Sequence, residues 1–273
     1  MLELFSYPFM QRALLSGILI SLILGWLGTF IVSRKMSFIG DGIAHASLGG
    51  IALAVLVGIA PLPTALIFGI LLACILFTIE QKTNIGTDSA IGIIFTSSLA
   101  LGIMLISLHQ GYQPELISYL FGNILAISTH DLVITLVIST IALIALSIWN
   151  NKLIFITFDK DGAYLSGISP ARYDLALYIL TALSIILSVK LVGVILVSAL
   201  LITPSATAKL IAPSFAAFQK IAITLACMTT CIGLLMSYYL DLPSGAAIIL
   251  TGSFIFTLTL LGKKMKMIYD KQS

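Results

Sequence analysis

The chain has 273 residues, of which 59% are hydrophobic and only 9% are charged. Soluble domains carry about 25% charged residues, so this composition excludes an ordinary cytosolic enzyme, a nucleic-acid-binding domain and a disordered tail. The formal net charge of +3 arises in residues 263–273, which hold four lysines and one aspartate. The remaining charges balance, and the sequence therefore describes a neutral apolar body with a short basic tail.

Nine apolar runs follow one another along the chain, each close to the roughly 20 residues that a membrane crossing takes. They cover residues 13–33, 43–60, 62–79, 90–108, 132–149, 173–189, 191–208, 217–240 and 243–262. The runs are continuously apolar rather than alternating, which favours helices. We therefore predict an all-α, polytopic membrane bundle of eight or nine transmembrane helices that forms a single domain over residues 1–273.

Two stretches leave the number of crossings open. Residues 115–128 are too short to cross, and we interpret them as re-entrant or as lying at the membrane interface. Residues 173–208 are divided by Lys190 and form either two spans or one kinked span. This choice decides on which side of the membrane the N-terminal half begins.

Basic residues are distributed unevenly between the two sides that nine spans define. One set of loops holds twelve of them: Arg34, Lys35, Lys82, Lys152, Lys160, Arg172, Lys209, Lys220 and the four lysines of the tail. The other set holds only Arg12 and Lys190. By the positive-inside rule, the C-terminus and the loop at 150–172 are expected to be cytoplasmic.

The second span opens with a cluster of small and ionisable residues, SFIGDGIAHASLGG over 37–50. Asp41 and His45 are separated by four positions, which places them on one face of a helix. A carboxylate at the centre of a membrane helix costs about 2.5–3.5 kcal/mol, so the pair is expected to face protein, water or an ion. The small neighbours predict a close helix crossing or a dimer interface.

The Asp41–His45 pair has two interpretations. Imidazole and carboxylate are both ligands for first-row metals such as zinc and manganese. One aspartate and one histidine make half of a tetrahedral site, so a second copy of the chain is needed to complete it. The alternative is a hydrogen bond between the two side chains that pins two helices together.

The remaining ionisable residues near the spans are weaker candidates. His109 ends the fourth span and His130 precedes the fifth. Histidines in loops are usually solvated, and these two are candidates for contact with a metal on its path. Asp131 and Asp241 are expected to cap helix starts. Lys190 is expected to extend its amine out of the apolar region.

The loop at about 157–170 contains the signals of a short helix. Asp159 or Asp161 can cap its start, Gly167 can end it, and a Ser-Pro pair at 169–170 can begin the next helix. We expect three of its residues, Ala163, Tyr164 and Leu165, to be exposed and to dock on a partner. The alternative is a helix that lies on the membrane surface.

The seventh run carries Gly193 near its start and Pro204 near its end. A proline within a span is expected to kink or end the helix and to free carbonyls that a neighbour must satisfy. We interpret Gly193 and Pro204 as a hinge, with a simple packing kink as the alternative.

The sequence contains no G-x-x-x-x-G-K-[ST] phosphate-binding loop. A transport function would therefore draw its energy from an ion gradient or from a separate ATPase subunit. A carrier driven by an ion gradient would usually place charges near the midplane of several spans, whereas here they concentrate at the start of one helix.

Four segments in order resemble the permeases of ATP-binding-cassette importers for zinc and manganese, most closely those of bacterial high-affinity zinc uptake. They are RKMSFIGDGIAHASLGG at 34–50, LISYLFGNILAIS at 116–128, FDKDGAYLSG at 158–167 and KLVGVILVSALLITPSATA at 190–208. The resemblance implies that Asp41 and His45 contact the metal and that the segment from Asp159 to Gly167 couples to an ATPase.

The same resemblance implies partners, cargo and location. It implies a homodimer of permeases in the cytoplasmic membrane, two ATPase subunits on the cytoplasmic face and a metal-binding capture protein outside. The permease would not be an enzyme and would hold no permanent cofactor, only the transported Zn²⁺ or Mn²⁺. Manganese-type members tend to have Leu-Pro-Gly after the histidine, whereas this chain has Leu-Gly-Gly at 48–50, which favours zinc, with an importer of manganese or iron as the alternative.

Overall fold

The computed structural model describes residues 7–83, 85–107 and 127–272, which form ten helices and no strands. The helices are α1 (Pro8–Ser33), α2 (Ile39–Val57), α3 (Pro61–Lys82), α4 (Thr87–Ser107), α5 (Thr129–Phe158), α6 (Lys160–Leu165), α7 (Pro170–Val192), α8 (Val194–Ile211), α9 (Phe215–Leu240) and α10 (Ser244–Gln272). Within the described ranges, nine helices are long and apolar enough to cross a membrane, and α6 is a short connection. The prediction of an all-α, polytopic membrane bundle is confirmed.

The ambiguous stretch at 173–208 consists of two helices rather than one kinked span. Gly193 separates α7 from α8 and has φ 82° and ψ 164°, a conformation that residues with a side chain rarely adopt. The break therefore occurs at the glycine and not at Lys190, which lies inside α7. The other ambiguous stretch, residues 115–128, falls outside the described residues except for its last two positions.

Helix α5 is longer than the apolar run that predicted it. The run ends at Trp149, yet the helix continues to Phe158. Residues 150–158 mix polar and apolar side chains, so mean hydropathy falls, but Leu153 and Ile156 are buried against neighbouring helices and extend the packing. The expected loop at 150–172 is therefore mostly helical. The basic tail is helical as well, because α10 continues to Gln272.

Four helices form the interior of the bundle. In α1, α2, α7 and α8, between 56% and 72% of the residues in the apolar 18-residue stretch are buried, and α2 has the largest buried share. The other spans expose apolar side chains on their outer faces, among them Ile67, Ile141 and Leu250. Such faces suit a hydrocarbon environment, since an apolar surface of this extent is rare on soluble monomers.

Small residues on α2 permit the close crossings that the sequence predicts. A Cβ atom on Gly49 would lie 2.9 Å from the carbonyl oxygen of Ser98 on α4, and one on Gly50 would lie 2.7 Å from Cβ of Phe68 on α3. These contacts leave no room for a side chain. They hold the helix that carries Asp41 and His45 against α3 and α4.

Candidate functional site

The candidate metal site lies at the beginning of α2. Asp41 occupies the first turn of the helix, where a carboxylate interacts favourably with the helix dipole. Both Asp41 and His45 are half-buried, one turn apart. The structure thus brings the two predicted residues together on one helix face, as their spacing predicts.

The hydrogen bond of His45 determines which of its ring nitrogens can bind a metal. Nδ1 lies 3.0 Å from the backbone carbonyl oxygen of Asp41. A carbonyl oxygen only accepts hydrogen bonds, so in the neutral imidazole Nδ1 carries the proton and Nε2 keeps the lone pair that a metal would need. This bond lies within α2 and involves the backbone of Asp41, not its side chain. It is therefore not the predicted alternative, a hydrogen bond between the two side chains that pins two helices together.

Asp41 is held by a residue that the sequence analysis does not identify. Ser198 on α8 donates a hydrogen bond of 2.6 Å from Oγ to Oδ1 of Asp41. Ser198 is only 7% exposed. In the sequence, Ser198 stands out only as a hydroxyl residue in an apolar span, five positions after Gly193. That pattern does not indicate a contact with a carboxylate on another helix.

The arrangement favours two donor atoms per chain for a metal. Oδ1 of Asp41 accepts from Ser198, which makes Oδ2 the less engaged carboxylate oxygen, and His45 presents Nε2. The ring of Phe95 on α4 meets the His45 ring edge-on at 5.3 Å between centroids and restricts its orientation. No group of three or more His, Cys, Asp or Glu side chains that could hold a metal occurs in the described part of the chain.

The short helix α6 begins and ends as the sequence predicts. Asp159 is its N-cap, and Oδ1 of that side chain accepts a hydrogen bond of 2.8 Å from the backbone N–H of Gly162. Gly167 follows the helix with φ 79°, and Pro170 opens α7 after its N-cap Ser169. Asp159 is also the C-cap of α5, so no linker separates α5 from α6.

The exposure of α6 matches the prediction for two of three residues. Tyr164 is 72% exposed and Leu165 is 85% exposed, whereas Ala163 is fully buried. The expectation of an exposed Ala163 is wrong because successive residues on a helix are rotated by about 100° and three in a row cannot share one face. Ala163 faces the bundle and anchors the helix that presents the other two side chains.

A polar network connects the start of α6 to α7 and to the end of α1. Asp174 on α7 forms ion pairs with Arg34 at 2.6 Å and with Lys160 at 3.1 Å. Nε of Arg34 donates to the hydroxyl of Thr157 on α5 at 3.0 Å. These residues line part of a cavity of ≈ 330 Å³ that also contacts Glu80 on α3. The network escapes sequence analysis because its members come from separate helices.

Of three ionisable residues near helix ends, Asp131 caps a helix start as predicted, and Lys190 and Asp241 differ from the predictions. Lys190 forms an ion pair with Asp131 rather than extending freely out of the bundle. Asp131 contributes to the start of α5, but as the third residue of a capping box whose N-cap is Ser128. Asp241 is the C-cap of α9 with φ 52°, so the expectation that it starts a helix is wrong: aspartate tolerates this left-handed conformation and ends the helix.

The remaining candidates are placed as follows. His130 is exposed in the first turn of α5, and His109 lies outside the described residues. Pro204 is buried inside α8, which continues beyond it to Ile211. The proline therefore does not end the helix, and its role as a hinge with Gly193 stays a prediction.

The fold and the site together define a polytopic membrane protein in which a half-buried aspartate–histidine pair lies in the first turns of α2 and a separate short helix exposes two apolar side chains. A family model described as the ABC 3 transport family matches residues 6–263. The chain belongs to this family, and the predicted resemblance to zinc and manganese permeases is confirmed.

Characterised relatives cover almost the whole chain. It is 36% identical over 256 residues to the manganese transport system membrane protein MntC of Halalkalibacterium halodurans, covering 94% of this chain and 88% of the relative. It is 34% identical over 252 residues to the high-affinity zinc uptake system membrane protein ZnuB of Haemophilus influenzae, covering 92% and 97%. A solved structure, PsaBC from Streptococcus pneumoniae in complex with Fab, matches with a TM-score of 0.83 at 34% identity, covering 94% of this chain and 93% of that one.

Proposed function

We propose that this chain is the membrane permease subunit of an ATP-driven importer that carries a divalent transition metal into the cytoplasm. The observation that carries the proposal is the pair of donor atoms on α2, Oδ2 of Asp41 and Nε2 of His45, held among small residues at the most enclosed helix. Membership of the ABC 3 transport family supports the energy source. ATP hydrolysis belongs to a separate subunit, because this sequence has no phosphate-binding loop.

The transport site requires two copies of the chain. A homodimer that brings two α2 helices together supplies two carboxylate oxygens and two imidazole nitrogens. Four ligands of this kind match the coordination number that zinc prefers in proteins. The site is transient, because an ion in transit has to leave as readily as it enters.

Zinc is the proposed cargo, on the basis of the four ligands that a dimer would supply and of the Leu-Gly-Gly at 48–50 that follows His45. Manganese is the second candidate, favoured by the similarity to manganese permeases such as MntC and the 38% identical ScaB of Streptococcus gordonii. The two ions share the same pair of ligating residues in this proposal. Their discrimination depends on how Asp41 is held.

The short helix α6 is proposed to dock on the ATPase subunit. Its exposed Tyr164 and Leu165 form an apolar tip that water alone would not favour. Lys160 at the start of α6 pairs with Asp174, which pairs with Arg34, the C-cap of α1, in the short connection that leads to α2 at Ile39. This chain of contacts gives the ATPase a route to the helix that carries the metal ligands.

The proposed orientation places α6 and the C-terminal lysines in the cytoplasm. The twelve basic residues on that side support it through the positive-inside rule. A capture protein then delivers the metal to the opposite face.

Metal uptake by cells that lack their own zinc and manganese importers tests the proposal. The permease is co-expressed with an ATPase and a capture protein of the family, and uptake of radioactive zinc and manganese is measured. We expect Asp41→Asn and His45→Gln to abolish uptake. Asp88→Asn is the matched control, since Asp88 is an exposed aspartate in the first turn of α4, and it should transport normally.

Two outcomes contradict the proposal. Full uptake by both Asp41→Asn and His45→Gln would show that the metal site is elsewhere. Uptake that continues when the ATPase subunit is omitted would identify a carrier driven by an ion gradient instead.

A further inference from the structure

We propose that Ser198 is a positioning residue that keeps Asp41 bound to the metal through one oxygen and thereby favours zinc over manganese. The proposal rests on the proposed transport function, and adds to it a residue that determines which ion is preferred. Ser198 does not touch the metal. It acts through the hydrogen bond that its hydroxyl donates to Oδ1 of Asp41.

The hydroxyl of Ser198 donates to a side chain on another helix and not to the backbone of its own helix. Serine and threonine side chains within helices commonly donate to a backbone carbonyl one turn back in their own helix. Thr181, Ser188 and Thr207 do so here, at 2.6 to 2.7 Å. A hydroxyl has a single proton, and Ser198 donates its proton across to Asp41 at 2.6 Å, a length typical of a strong bond to a charged acceptor.

Close packing fixes the position from which Ser198 donates. A Cβ atom on Gly40 would lie 3.0 Å from Oγ of Ser198, so α2 and α8 approach as closely as a glycine permits. One helical turn further, the carbonyl oxygen of Leu201 and the hydroxyl of Ser205 occupy the space that a side chain on Gly28 would need. Helix α8 is thus packed closely against α2 at the hydrogen bond and against α1 further along its length. The hydroxyl is preorganised rather than free to follow the carboxylate.

This arrangement limits the number of ligands that Asp41 supplies. The hydrogen bond from Ser198 withdraws electron density from Oδ1 and favours binding through Oδ2, so one copy of the chain offers mainly Oδ2 of Asp41 and Nε2 of His45. A dimer then presents four donors, the number that suits tetrahedral zinc. Without the hydroxyl, Asp41 is free to bind through both oxygens, and the larger, oxygen-rich set suits manganese better. Loss of an outer hydrogen bond to a ligating group typically lowers metal affinity about 10- to 100-fold.

The experiment compares concentration-dependent uptake of zinc and manganese by the complete transporter with Ser198→Ala. We expect the half-saturating zinc concentration to rise by about 10-fold or more, with a smaller rise for manganese, so that the zinc-to-manganese preference falls. Ser198→Thr retains the hydroxyl and should restore the preference. Ser188→Ala is the matched control, because Ser188 is equally buried but donates within its own helix, and its preference should stay unchanged.

Three results would contradict the proposed positioning role of Ser198. Unchanged half-saturating concentrations in Ser198→Ala would show that the hydrogen bond does not position Asp41, and so would a fall in maximal rate alone. A Ser198→Thr variant with the zinc preference of Ser198→Ala would show that the hydroxyl is not the cause. If Ser198→Ala lowers the yield of assembled transporter, Ser198→Cys replaces it, since a thiol is a weak donor of similar size, and the same loss of zinc preference is expected.

The failure of this proposal is distinguishable from the failure of the transport site. If Asp41→Asn abolishes uptake and Ser198→Ala changes nothing, the transport site stands and only the positioning role is wrong. If Asp41→Asn transports normally, the site itself is wrong.

Discussion

Replacement of Asp174 by asparagine removes the carboxylate that compensates Arg34 in the network behind α6. The side chains of Asp174 and Arg34 are 8% and 14% exposed, and the two groups are 2.6 Å apart. Asparagine preserves the shape but leaves the guanidinium without its opposite charge, and Nη2 of Arg34 already finds no acceptor among the described residues. The perturbation is therefore almost purely electrostatic.

The expected loss in the free energy of unfolding follows from the burial of the Asp174–Arg34 pair. Removing one partner of a buried ion pair costs about 3–5 kcal/mol, because it leaves an uncompensated charge. The second pair of Asp174 involves Lys160, whose side chain is 53% exposed, and an exposed pair contributes about 1 kcal/mol or less. We therefore expect Asp174→Asn to lower the free energy of unfolding by several times more than Lys160→Met does.

Reversible unfolding in mixed detergent micelles measures both variants against wild type. Asp161→Asn serves as the control, because it removes an exposed carboxylate from the same short segment, and it should change stability little. Equal losses in Asp174→Asn and Lys160→Met would refute the argument, since the buried pair would then contribute no more than the exposed one.

Two further predictions concern helix packing and capping. Gly28→Ala should lower the free energy of unfolding by about 1–3 kcal/mol through overpacking against Leu201, whereas Gly92→Ala, where a Cβ meets open space, should be neutral or stabilising. A Gly28→Ala variant as stable as Gly92→Ala would contradict the close approach of α1 and α8. Ser128→Ala should lower the free energy of unfolding by about 0.5–2 kcal/mol, because it removes the capping box with Asp131. It should also speed hydrogen exchange of the first amides of α5. Unchanged exchange would argue against the cap.

Hydropathy alone predicted the helical class and the order of the spans, because the energetic penalty for polar backbone in lipid leaves few alternatives. It failed at element ends. Helix α5 continues for nine residues past the apolar run, because tertiary packing of Leu153 and Ile156 extends the helix where composition no longer indicates a span. The break between α7 and α8 depended on the backbone of Gly193 and not on the charge at Lys190.

The candidate site was predictable only where its residues share one helix. Asp41 and His45 lie four positions apart, so helix periodicity alone places them on one face. Ser198 lies 157 positions from Asp41, and no local pattern relates a serine in one apolar span to a carboxylate in another. The pairing of Lys190 with Asp131 escaped prediction for the same reason.

The length of α5, which a single residue joins to α6, has a mechanical consequence. Helix α5 has 30 residues, which at 1.5 Å per residue makes a rod about 45 Å long. A tilt of about 5° around the middle of such a rod moves each end by about 2 Å. A displacement of that size is enough to break a hydrogen bond. A rigid tilt of α5 would therefore displace both of its ends together, the end at Asp159 beside α6 and the end at Asp131 with its partner Lys190.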